Sequence, residues 1–421
     1  MNRDVKSLTA EELVAQCRAW DQPDYRARQV LDWLYARRVT SWEAMTNVPQ
    51  ALRERLRTAY TLETLELVRR QGAPDGTQKF LWRLADGALI ESVLIPASPD
   101  LYGTASDRHT LCVSTQVGCA HGCRFCASGL AGWKRHLRPH EIVEQVLAVE
   151  RWHEAGGCQE TASAALASSE AGAAALARDA ARPLPARPLR PGRRPVDNVV
   201  VMGMGEPLAN YEAVLRALRI LNAPWGGAIG ARKITLSTSG LAPQIRRLAE
   251  EPEQFRLAVS LHAPTDAVRN RLMPVNRRFP LAELTAALEY YQARKGRMLT
   301  FEYILIAGVN DMPGLVKPLA ALARRLHAKV NLIPYNPVAG LPWQRPADKA
   351  CEAFLAALLR QRIPATLRRE RGGDIDAACG QLRLKTEQEL GAAAPAGPRG
   401  GGAPTGGWAD SETTTRPPEG R

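Results

Sequence analysis

No uninterrupted apolar run of about 18 or more residues occurs in this 421-residue chain, although 45% of it is apolar, so nothing in it reads as a membrane span. The first residues, MNRDVKSLTAEELVAQ, lack an apolar leader core and enter a helical pattern at once, which predicts neither a signal peptide nor an anchor and a cytoplasmic location. No repeat of solenoid period is present, which excludes a stacked-repeat architecture. Cysteine is scarce: Cys17, Cys112, Cys119, Cys123, Cys126, Cys158, Cys351 and Cys379 are the complete set. In a reducing compartment they make poor staples, and only a tight group of them, at 119 to 126, points to metal or redox chemistry.

What is present bounds the rest. The length accommodates one large α/β domain and an accessory domain. A formal charge of +13 suits a polyanionic partner, because basic residues gain by displacing counterions from phosphates. Part of that excess sits in one arginine-rich stretch, so charge alone leaves nucleic acid an open question.

Residues 1–75 alternate helical patterns with breaks: TAEELVAQCRAW, DYRARQVLDWLYARR and VPQALRERLRTAY. They predict a small N-terminal helical domain. From Lys79 to Pro96, alternating apolar residues flank Asp86-Gly87, a strong hairpin signal, and residues 76–104 read as a β-hairpin connector. From 105 to 388, short β-branched runs (TLCVSTQ, DNVVVMG, KITLSTSG, RLAVSLHA, LTFEYILIAG, KVNLIPYN) alternate with amphipathic stretches. Six strands with intervening helices predict a parallel α/β sheet. Residues 157–195, ending in ARPLPARPLRPGRRP, are low in complexity and read as an exposed insert. Residues 389–421, rich in Gly, Pro and Thr, read as a disordered tail.

Cys119, Cys123 and Cys126 are spaced C-x3-C-x2-C at the end of a predicted strand. A closed structural site generally takes four protein ligands, whereas three leave one iron of an iron-sulfur cluster open to a further molecule. The competing reading is a zinc knuckle completed by His121 or Cys112. Further along, VVVMGMGEPL ends another strand with Gly203, Gly205, Glu206 and Pro207.

With Phe125 before the last cysteine, the motif resembles the radical S-adenosylmethionine (SAM) signature, and the Gly-Glu-Pro element resembles that superfamily's contact to the SAM amino group. More closely, LCVSTQVGCAHGCRFC, GMGEPL, KITLSTSG, VSLHAPTD and GGDIDAACGQL, in that order over roughly residues 8–388 outside the insert, resemble the RlmN family of adenine C2 methyltransferases, with the Cfr methyltransferases as neighbours. The resemblance implies a partial (β/α)6 radical SAM barrel carrying the helical domain and the hairpin as extensions. It implies a [4Fe-4S] cluster on Cys119, Cys123 and Cys126, and SAM contacts from Gly205, Glu206, Ser237, Ser260, Leu261, His262 and Asn336. Cys379 matches the cysteine that becomes S-methylated, Cys112 its transient disulfide partner, and Glu91 the proton acceptor. The implied partners are 23S rRNA and tRNA, an external electron donor and a disulfide reductant, for a monomer that acts off the membrane. The sequence departs from the family in the insert, the tail, and ASGLAGWKRHL after the third cysteine.

Independent logic supports the SAM positions, since they fall at or just after the ends of four predicted strands, which form one mouth in a β/α barrel. Taken singly, each has a plainer reading. His262 is then a satisfied buried histidine, Ser237 a turn cap, Asn336 before Pro337 turn chemistry, Glu91 a solvated strand face and Cys379 a small buried thiol. Cys17, Cys158 and Cys351 carry no functional reading. Lys134-Arg135, Arg246-Arg247, Arg277-Arg278 and Arg368-Arg369 read first as solvated faces that could rim an RNA-attracting mouth. Another radical SAM activity, such as a glycyl-radical activase, gives no reason for both Cys112 and Cys379. C8 methylation, and a non-catalytic RNA-binding assembly factor with a structural cluster, stay open.

Overall fold

The helical spacing of the first sixty residues is realised in the computed structural model of the protein, which describes residues 3–72, 76–97, 108–130, 132–156, 194–368 and 380–393. Cys379, Cys158, residues 157–193 of the expected insert and the tail from 394 lie outside these described residues. Helix Ala10–Ala19 begins at a capping box: Glu12 N donates to Thr9 Oγ1 at 3.3 Å, and Thr9 N to Glu12 Oε2 at 2.9 Å. Helix Tyr25–Leu31 continues into a π turn, Asp32–Ala36, and Gln50–Ala59 follows. Their inward residues, among them Leu13, Cys17, Val30, Leu34, Leu52 and Leu56, are buried, so Cys17 is core.

The expected hairpin has a third strand. β1 (Glu66–Gly72) pairs antiparallel with β2 (Gln78–Arg83), and β2 with β3 (Leu89–Pro96), the last two joined at Gly87 with φ +82°. β1 was not legible because ELVRRQG lacks clean alternation, and its residues are half-buried or exposed. β3 pairs antiparallel with β4 (His109–Cys112), which fuses the extension to the catalytic sheet.

After β4 come β5 (Gln116–Gly118) and β6 (Trp133–His136), a separate two-stranded pair. The parallel series then resumes with β7 (Asn198–Val201), β8 (Ile234–Thr238), β9 (Arg256–Ser260), β10 (Leu299–Leu305), β11 (Ala328–Pro334) and a short β12 (Ala365–Leu367). The sheet order is β1-β2-β3-β4-β7-β8-β9-β10-β11-β12, parallel from β4 onward. The six strands β4 and β7 to β11 are the expected partial (β/α)6 barrel. Their residues, such as Val199, Leu236, Val259, Phe301 and Val330, are buried because helices cover the sheet.

Helix Pro139–Glu154 locks the N-terminal helices to the barrel. Its Glu144 pairs with Lys6 at 2.8 Å, both side chains 2% exposed, and its Glu150 pairs with Arg38 at 2.8 Å and Arg194 at 2.7 Å. Met1–Leu384 form one compact unit and Lys385–Arg421 a second, whose described part is helical. No helix among the described residues is long and apolar enough to cross a membrane.

Candidate active site

The strand ends converge on one cavity of about 340 Å³. Cys119, Cys123, Cys126, Gly205, Glu206, Ser237, Ser260, His262 and Asn336 all line it, which is how residues spread over more than 200 positions meet. Leu261 does not: its side chain joins the core, and its backbone N donates to Glu302 O at 3.1 Å. Glu91 on β3 and Cys112 on β4 are not among its wall residues.

The cysteine loop is clasped by β5 and β6. Gly118, φ +78°, packs so closely on Gly132 O that no Cβ could be accommodated. Cys119 N donates to that carbonyl at 3.1 Å, and Cys126 N to Cys123 O at 3.1 Å. The Phe125 ring meets the His262 ring edge-on with centroids 4.8 Å apart. Arg124 N donates to Leu272 O at 2.9 Å, and Trp343 Nε1 to Arg124 O at 2.7 Å, so the far side of the barrel also holds the loop.

Among the described residues, no three His, Cys, Asp or Glu side chains converge as they would around a single metal ion. His121, whose Nδ1 meets Ser239 Oγ at 2.8 Å, and Cys112, on β4, do not join the three thiols in any such group. Three separated thiols suit instead a cluster that offers each a different iron. Burial, then the neighbouring Cys126 and Glu206, pushes the Cys119 thiol up to about 12, and burial pushes Cys123 well above its usual range. Such thiols ionise only beside compensating cations, which cluster irons supply, so the donor set fits the group. Arg269, fully buried and lowered to about 10 by burial, places a cation near Cys123 while donating to Leu261 O at 3.1 Å and Asn276 Oδ1 at 2.7 Å. Sequence reasoning missed it, because an arginine in DAVRNRL reads as a solvated helix face.

Gly205, φ +105°, sits where a Cβ would come within 2.6 Å of Gln116 Cβ. This close approach lets Gln116 Oε1 accept from Glu206 N at 2.9 Å. The Glu206 carboxylate accepts from Leu208 N at 3.0 Å and Ser239 N at 2.7 Å, tying β7 to β8. Burial lowers His262 to about 3, so it is a neutral imidazole. Its Nδ1 accepts from Ile304 N at 3.1 Å, which puts the ring proton on Nε2. His262 itself has φ +56°, a left-handed conformation unusual for a side-chain-bearing residue at a strand end.

Beside the cavity, one face of the antiparallel extension carries Lys79, Glu91 and Cys112, since Val93 pairs with both Lys79 and Cys112 and lies two residues from Glu91. Glu91 is buried: Oε2 meets Lys79 Nζ at 2.9 Å and Gly380 N at 2.8 Å, and Oε1 accepts from Arg383 N at 2.7 Å. Gly380, φ +83°, lies where a Cβ would be 2.6 Å from Ser128 Oγ, on the cavity wall just past Cys126. The expected basic rim is partly spent within the protein. Arg135 bonds to Asp86 at 2.7 Å and Glu141 at 2.8 Å, and Arg247 pairs with Glu212 at 2.5 Å.

A partial parallel barrel with a three-cysteine loop and a polar cavity at its mouth defines a radical SAM enzyme, and residues 188–313 match the radical SAM superfamily. Residues 4–62 match the family described as ribosomal RNA large subunit methyltransferase N-terminal domain. The chain is 50% identical to a protein of Opitutus terrae named "probable dual-specificity RNA methyltransferase RlmN 3", over 90% of this chain and 94% of that one. It is 45% identical to the dual-specificity RNA methyltransferase RlmN of Anaeromyxobacter dehalogenans, over 90% and 91%. A crystal structure of a radical SAM methyltransferase from Sphaerobacter thermophilus superposes with a TM-score of 0.76 at 43% identity, covering 90% of this chain and 98% of that one. The chain belongs to the RlmN family of dual-specificity RNA methyltransferases. Its cofactors are therefore a [4Fe-4S] cluster and SAM.

Proposed function

We propose that this protein methylates carbon 2 of an adenine in 23S rRNA and in tRNA, through an S-methyl group carried on Cys379 and released by Cys112. The observation that carries the reading is the seat of Gly380, the residue after Cys379, between Glu91 and the cavity-wall residue Ser128. Cys112 lies on the same sheet face as Glu91, whose carboxylate holds the residue that follows Cys379.

Carbon 2 of adenine lies between two ring nitrogens and offers no lone pair, which closes ordinary nucleophilic attack on a methyl donor. When bound, the cluster and SAM supply both a methyl group and a 5′-deoxyadenosyl radical, the chemistry that a protein scaffold cannot provide. The Cys379 thiolate takes up the methyl group, as thiolates do from a sulfonium. One hydrogen atom of that methyl group would pass to the radical the cofactors supply, so that the Cys379 sulfur presents a carbon able to bond to C2; one electron would return to the cluster and Glu91 accepts the C2 proton. Attack of the Cys112 thiolate on the Cys379 sulfur breaks the sulfur-carbon bond, the released carbon takes up a proton to become the methyl group of the base, and the disulfide left behind is reopened by an external reductant. An external electron donor serves the cluster. Cys119, Cys123 and Cys126 hold that cluster, and Gly205, Glu206, Ser237, Ser260, the Leu261 backbone, His262 and Asn336 hold SAM. Residues 1–75 and the extension at 76–104 grasp the RNA, with the target base splayed out to be reached, and the protein works as a cytoplasmic monomer.

Nucleoside mass spectrometry of 23S rRNA and tRNA from cells with and without the gene tests this. We expect 2-methyladenosine to vanish from one rRNA position and from tRNA on deletion. Loss of 8-methyladenosine instead, or no change in either RNA, overturns the reading.

A further inference from the structure

Glu302 is the polar group in the cavity that no assigned role uses. It sits inside β10, 6% exposed, and its Oε2 is buried without a hydrogen-bond partner although the residue lines the cavity. Leaving a carboxylate oxygen in that state is costly unless something arrives to bond it. The other oxygen is fixed. Asn331 Nδ2 donates to Oε1 at 3.0 Å, and Thr366 Oγ1 donates to Asn331 Oδ1 at 2.8 Å. The register explains this relay, because Ser260 pairs with Glu302, Glu302 with Asn331 and Asn331 with Thr366 across four neighbouring parallel strands. With Ser237 Oγ 3.5 Å from Ser260 Oγ, a polar row crosses the sheet under the cavity and leaves one acceptor open in its middle.

We propose that Glu302 Oε2 accepts a hydrogen bond from a ribose hydroxyl of bound SAM, with Asn331 as its positioning residue. The inference rests on reading this cavity as the SAM pocket. The cysteine loop and Gly205-Glu206 lie toward β4 and β7, where the methionine end belongs, so the nucleoside extends along the mouth toward β9, β10 and β11. A ribose offers two hydroxyl donors, and a buried carboxylate is the acceptor that dinucleotide folds also place on such hydroxyls. The adenine edge fits less well. Its amino donor is flanked by ring nitrogens whose lone pairs would face the carboxylate. Arg368, another cavity residue, offsets the charge that burial disfavours at Glu302.

The test measures binding, under anaerobic conditions, of S-adenosylhomocysteine and its 2′-deoxy and 3′-deoxy analogues to cluster-loaded wild type, Glu302→Gln and Asn331→Ala. Wild type should prefer the ribose ligand over at least one deoxy analogue by roughly tenfold or more, the loss expected for a hydrogen bond to a charged group. Glu302→Gln should lose most of that preference, binding the ribose ligand more weakly and the deoxy analogue about as wild type does. Asn331→Ala should lose part of it. The preference is a ratio within each protein, so a partly misfolded sample does not imitate its loss. A wild type that fails to bind S-adenosylhomocysteine overturns the SAM-pocket reading itself. A wild type indifferent to both deoxy analogues, or a folded Glu302→Gln that keeps the full preference, overturns the role of Glu302. So does a Glu302→Gln that keeps the preference but binds target RNA more weakly, because the carboxylate then faces the substrate.

Discussion

Glu91 accepts from three donors on two segments far apart in the chain: the Lys79 ammonium on β2, and the backbone of Gly380 and of Arg383 at the start of the last helix. The same residue's carbonyl accepts from Ser114 Oγ at 2.6 Å. Glu91→Ala would leave the Lys79 charge buried beside a void and free two backbone donors. We expect it to lower the unfolding free energy, read by urea denaturation, by about 3–5 kcal/mol, as when one member of a buried pair is removed. A change below about 1 kcal/mol, the scale of an exposed pair, would show that the carboxylate does not anchor this segment. At this scale legibility was uneven. The cluster cysteines and the strand-end residues could be read because their spacing and order form a pattern. Glu302 could not, because one glutamate in LTFEYIL reads as the polar phase of a strand, and only the register with Ser260 and Asn331 shows which cavity it faces.

Helix Pro139–Glu154 shows how an element can look ordinary and be central. From sequence it is an amphipathic helix of the barrel, yet its residues from His140 to Glu150 are buried, because the N-terminal helices cover the face a barrel helix would show to water. The polar residues thus enclosed are satisfied by charges from distant segments. Glu150 is fully buried between Arg38 and Arg194, and Glu144 meets Lys6 and Arg151. Glu150→Leu should therefore destabilise the protein by about 3 kcal/mol or more in a urea melt, since Arg194 loses its carboxylate partner and Arg38 keeps only the half-exposed Glu154. Adding Arg38→Met should recover part of that loss. If the double variant were less stable than the single one, the pair would not couple the N-terminal helices to the barrel in this way. The same enclosure explains why the N-terminal domain reads from sequence as separate while the structure shows one compact unit: cross-segment ion pairs leave no local pattern.

Over the whole molecule, the alternation of β-branched runs and amphipathic stretches revealed the parallel sheet because the barrel strands are buried or half-buried along their length and most of the helices bury one face. It did not reveal that the antiparallel extension and the barrel share a single ten-stranded sheet, because the β3-β4 pairing is a long-range contact. That pairing puts Glu91 and Cys112 on one sheet face, the face the proposed mechanism uses. On the proposed mechanism Cys112 and Cys379 are not equivalent thiols: one resolves what the other has joined. The direct measurement incubates Cys112→Ala, cluster-loaded and anaerobic, with SAM, reductant and substrate RNA, followed by denaturing electrophoresis and peptide mass spectrometry. We predict a covalent protein-RNA species that survives denaturation and, after RNase digestion, leaves a nucleotide mass on the Cys379 peptide, while Cys379→Ala cleaves SAM and forms no adduct. Normal turnover by Cys112→Ala, or methylated RNA from Cys379→Ala, would contradict the account.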